Sequence, residues 1–103
     1  MGLFGKSKAK GMSLGELKAF DKKAVSSVVK RQGADEQILG RQGAISVKDD
    51  EIVIVCNGSE VLRVLTKGAV MATLMSGNGA DIKGVTPDGE SVHAIAYYSK
   101  LRQ

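Results

Sequence analysis

His93 and Cys56 are the only histidine and the only cysteine in the chain. Together they would make a nucleophile–base pair, a thiol activated by an imidazole. Their surroundings do not favour it. Cys56 stands beside a turn at the end of an apolar strand, where a small buried residue is ordinary, and His93 belongs to a half-exposed strand. One cysteine and one histidine also cannot build a zinc site within one chain. Asp49, Asp50 and Glu51 are consecutive acids of a turn, whereas cation-binding loops space their oxygen ligands and place a glycine among them. Gly77-Asn78-Gly79-Ala80 lacks the third glycine of a dinucleotide fingerprint, and no phosphate-loop pattern occurs. The residues therefore predict no catalytic centre, no cofactor and no metal.

What remains are contact residues. Arg63 is a charge inside an apolar strand, free to snorkel, to pair with a carboxylate or to meet a partner. Tyr97-Tyr98 places one ring on each face of the last strand, and a tyrosine near Arg63 or His93 would be a suitable anchor. Arg63, His93, Tyr97 and Tyr98 are thus the candidate partner contacts. Lys6, Lys8 and Lys10, in a glycine-rich start without acids, are the candidates for an anionic surface.

Charge supports that division. The net +4 comes from +3 over residues 1–12, +2 over 13–41 and −1 over 42–103, so the basic character belongs to the N-terminal end. Aromatics make up 4% of the chain, too few for a base-stacking platform. A lone cysteine fits a reducing compartment, and no apolar run has the length of a membrane span or leader, so a cytoplasmic protein is expected.

The elements that must position these residues centre on Glu51 to Leu65. Five apolar residues precede Asn57-Gly58, the pair best suited to a type I′ turn with φ > 0 at both positions. A two-residue loop sets Val55 opposite Glu60, Ile54 opposite Val61 and Val53 opposite Leu62. Arg63 then shares a face with Ile52, Ile54 and Val61, and both faces of the hairpin are apolar near its middle.

Ahead of the hairpin, Ser13-Leu14-Gly15-Glu16 matches a capping box. Leu14, Leu17, Phe20, Ala24, Val25, Val28 and Val29 fall on one arc of a helix, although the valines of Lys22 to Arg31 also suit a strand. Ala34 to Leu39 reads as a helical turn or two stopped by Gly40. Arg31-Gln32-Gly33-Ala34 recurs as Arg41-Gln42-Gly43-Ala44, read as two similar chain reversals. Ala44 to Val47 is a strand, Ala69 to Ser76 suits a short helix or a strand, and Asp81 to Thr86 is a strand in which Gly84 marks a bulge or a close approach. Thr86-Pro87-Asp88-Gly89 is a turn before the last strand, Ser91 to Lys100.

The expected architecture is α+β: a flexible basic arm over 1–12, a helical segment over 13–41, and five or six antiparallel strands over 44–101. The strands form a meander, open or curled into a small barrel. The expected function is a non-enzymatic protein-interaction or self-association module. The alternative is nucleic-acid or anionic-membrane attachment through the arm.

Overall fold

The computed structural model describes residues 12–99. They form one short helix and seven strands: α1 (Leu14–Lys18), β1 (Ala24–Gln32), β2 (Asp35–Val47), β3 (Glu51–Cys56), β4 (Ser59–Leu65), β5 (Val70–Thr73), β6 (Gly79–Val85) and β7 (Ser91–Tyr98). All pairings are antiparallel, in the order β4-β3-β2-β1-β7-β6-β5. The protein is mostly β. The helical segment over 13–41 is overturned, and with it the helix packed on a five- or six-stranded meander.

The helix starts where its capping box predicts. The Glu16 amide donates to Ser13 Oγ, and the Ser13 amide donates back to the Glu16 carboxylate. It ends after five residues because the chain turns into the sheet: Lys22 takes φ 68, and its amide donates to the Ile45 carbonyl at 2.6 Å. The helical spacing of Val25, Val28 and Val29 has another origin. The β1–β7 register shifts between Val25 and Ser27. A bulge adds one residue to a strand, so side chains three apart can share a face. Val25 and Val28 both enter the core, while Val29 is buried on the opposite face against Ile95 and Ile38.

The duplicated Arg-Gln-Gly-Ala is not two reversals. Gly33-Ala34 is the β1–β2 turn, with Gly33 at φ 63. Gln42-Gly43 lies inside β2, where Gln42 takes φ 56 and its carbonyl accepts from the Asn57 amide at 3.1 Å. Within 69–76 the strand alternative holds, over Val70–Thr73. Asn57 and Gly58 take φ 52 and 79, the two positive values the hairpin turn requires. Gly84 marks a close approach, since a Cβ there would stand 3.2 Å from the Val64 side chain.

That approach shows how the sheet is shaped. β4 and β5 are its two edges, yet only residues 66–69 join them. A flat seven-stranded sheet would hold its edges about 29 Å apart at ~4.8 Å per strand. Five residue steps reach at most about 18 Å. The open sheet must therefore roll, and it brings β4 over β6. Its concave side holds the core, including Val28, Ile45, Ile52, Ile54, Val64, Met71 and Ile82, with Leu17 and Phe20 packed into the same cluster from α1 and the turn after it. No helix among the described residues is long and apolar enough to cross a membrane.

Candidate functional site

Arg63 is positioned by an irregularity the two-residue-loop register did not contain. Val55 is opposite Glu60 as expected, but Ile54 is opposite Leu62, so Val61 is an extra residue in β4. A one-residue insertion moves every later side chain to the other face. Ile52, Ile54, Leu62 and Val64 thereby share the core, and Arg63 stands outside, opposite Val53. The second apolar face is thus smaller than the pattern implied. Val53 is only 5% exposed there, consistent with the Arg63 stem lying across it.

The Arg63 guanidinium bonds Glu51 from one side and Glu60 from the other, the latter through Nε at 2.9 Å and Nη2 at 2.6 Å. The Arg63 hydrogen bond is the main reason the Glu60 carboxyl is held below its usual range, against a smaller opposing effect of desolvation. The same Glu60 bond leads the causes that raise Arg63 still further. A depressed carboxyl contributes stability that is present above its unfolded pKa and lost as pH falls through the folded value. Arg63→Met is therefore expected to lower the urea midpoint at pH 7, with the gap to the parent narrowing below about pH 4.3, the ordinary glutamate value. Urea titrations at several pH values check this; a gap independent of pH would contradict it.

His93 and Tyr97 lie on the outer face of β7, separated by Ile95, while Tyr98 turns to the core side. His93 Nε2 is 2.8 Å from Asp81 Oδ1 across the β6–β7 pair. Tyr98 carries the Lys23 ammonium 5.5 Å from its ring centre, and burial pushes its hydroxyl pKa up, partly offset by a hydrogen bond with Thr73. Arg63 is on the same outer face but on β4, with three strands between it and β7, so it does not join His93 and Tyr97. Cys56 faces the core, where desolvation raises its thiol pKa away from the reactive thiolate, and the sheet lies between it and His93. Asp49 pairs with Lys18 and Glu51 with Arg63, and among the described residues no three acids, cysteines or histidines converge on a point. Lys6, Lys8 and Lys10 lie outside the described residues.

The strand edges differ in how they are finished. The β5 edge is met by Met12, whose amide donates to the Ala69 carbonyl at 3.0 Å and whose sulfur accepts from the Met71 amide at 3.0 Å. The β4 edge carries the Val61 bulge and the Arg63–Glu60 pair, both devices that discourage strand addition. A third edge is unguarded. β3 covers β2 only from Gly43 to Val47, so residues 35–41 are paired on the β1 side alone. The turn at Gly33-Ala34 closes on the pair Gln32–Asp35. The pair closing a two-residue turn exchanges hydrogen bonds, and alternation then directs the N–H and C=O of Glu36 and Ile38 away from β1.

Ile38 is 53% exposed beside this edge. It ends an apolar row on the outer face, Ile38–Val29–Ile95, across three strands. Asp35 and Arg41 flank it, and neither makes an ion pair among the described residues. These residues escape a reading of 34–39 as helix. The available signal was the isolated Ile38-Leu39 pair in a polar run, three residues after a glycine-bearing two-residue loop. No family model, curated protein or solved structure matches this chain.

Proposed function

We propose that the chain is a non-enzymatic self-association module that pairs with a second copy of itself along the open edge of β2. The observation that carries this reading is the unpaired run 35–41 with a half-exposed isoleucine at its middle, on a molecule whose other two edges are guarded. A two-fold axis at Ile38 makes the contact self-complementary, as closed dimers require. Ile38 then meets Ile38 of the second copy, and like charges directly opposite each other across such a pair destabilise it. The outer apolar row would run on without a break from one copy into the next. Such a short strand pairing falls below about 1,200 Å² of buried surface, so a weak, concentration-dependent dimer is expected.

Light scattering coupled to gel filtration, run from micromolar to millimolar protein, tests this reading. The parent chain should shift toward the dimer mass as concentration rises, and Ile38→Lys, which places two ammonium groups opposite each other, should stay monomeric. A parent chain that remains a monomer at the highest concentration overturns it.

A further inference from the structure

We infer that the outer face of β6 and β7 carries a binding site for a phosphate monoester. A groove of about 410 Å³ opens there, lined by Arg31, Lys83, Ser91 and His93 with Gly68 and Gly84 beside them. Ligand pockets run from about 300 to 1,000 Å³, so this one suits a small molecule. Three features of its lining point to an anion. No carboxylate lines it; two acids pair with lining residues from outside, Asp81 with His93 at 2.8 Å and Glu36 with Arg31, 3.6 Å from its Nε. The Arg31 Nε is buried and lacks a hydrogen-bond partner among the described residues. A buried donor without an acceptor is destabilising, and an oxyanion arriving in the groove supplies that acceptor. Lys83 makes no ion pair among the described residues.

The donors also come from separate elements: Arg31 from the end of β1, Lys83 from β6, Ser91 and His93 from β7. Groups converging from several directions match a tetrahedral oxyanion better than a planar carboxylate, which offers two oxygens in one plane. Arginine contributes a charge-assisted fork, lysine a point charge and Ser91 a hydroxyl donor. Gly68, where a Cβ would meet nothing within 4 Å, leaves room for the ligand. No bond is made or broken in this proposal; the site binds.

The test is an amide chemical-shift titration of the full chain with glycerol phosphate, using sodium acetate at equal ionic strength as the comparison. Saturable shifts are expected at Gly68, Gly84 and His93, with none from acetate. Lys83→Ala, on an exposed position, is expected to weaken binding at least tenfold, and Arg31→Met likewise. Lys48→Ala removes an equal charge elsewhere and should leave affinity within twofold. The spectra report whether each variant stays folded, so Lys83→Ala carries the test if Arg31→Met does not. Vesicles containing phosphatidic acid, competed with glycerol phosphate, distinguish a lipid headgroup from a free monoester. Shifts that fail to saturate, that acetate reproduces, or that Lys83→Ala leaves unchanged would overturn the site.

Discussion

Replacing Gly43 with alanine is expected to cost more than about 4 kcal/mol, a loss at the exceptional end for one substitution. A Cβ at this position would stand 1.9 Å from the Val55 carbonyl oxygen and 2.8 Å from the Cys56 Cα. Both obstacles are backbone, so no rotamer change relieves the overlap. β3 would have to leave β2, and with it the central pairing of the sheet. Folded domains of this size are stable by about 5–15 kcal/mol, so much of the native margin is at stake. Gly15→Ala is the matched control. It meets nothing within 4 Å and lies in α1, where alanine is favoured over glycine by about 0.8–1.0 kcal/mol. Urea denaturation of both variants should show collapse in one and a small gain in the other. A Gly43→Ala midpoint close to that of the parent would mean that Gly43 and Cys56 do not pair.

Leu17→Ala should cost about 3 kcal/mol, within the 2–5 typical of a fully buried leucine truncated in a core. Five residues barely exceed one helical turn, far below the ~12–15 needed for an isolated helix. α1 is therefore held by what it packs against. Leu17 is its one buried residue, fully enclosed in the core cluster with Phe20. Loss of the side chain should release α1 along with its packing, so the helix amides should exchange with solvent faster than those of β3. A cost under about 1 kcal/mol would show that the sheet is complete without its helix.

The turns of this fold were legible because their chemistry is local. Asn57-Gly58, Thr86 to Gly89 and the capping box at Ser13 each depend on residues in immediate succession, and each stands where its residues place it. Thr86 accepts from the Gly89 amide at 2.9 Å, closing the turn the proline begins. The faces of the strands were less legible, because one extra residue inverts them. The Val61 bulge exchanged the surroundings of Arg63, and the shift between Val25 and Ser27 gave a strand the spacing of a helix. Strand order was legible only in part. Neighbours in sequence do pair, but the step from β4 to β5 joins opposite edges, and only rolling of the whole sheet makes it short.

The candidate site followed the same division. Arg63 stood out as a charge among apolar residues, yet its partners Glu51 and Glu60 depend on the bulge. His93 and Tyr97 share a face through simple alternation. Ile38 went unseen because an exposed strand edge is defined by where the neighbouring strand stops. Gly43 to Val47 pair with β3 and 35–41 do not, because β3 ends at Cys56 in the Asn57-Gly58 turn.

Dimerisation through that edge is most directly tested by placing charge on the two-fold at Ile38. Sedimentation velocity at millimolar protein should show dimer for the parent chain. Ile38→Lys alone and Ile38→Glu alone should each be monomeric, because each sets like charges opposite one another across the two-fold. An equimolar mixture of the two variants sets opposite charges there and should dimerise again. Monomer in all four samples, or dimer in all four, would contradict pairing along residues 35–41.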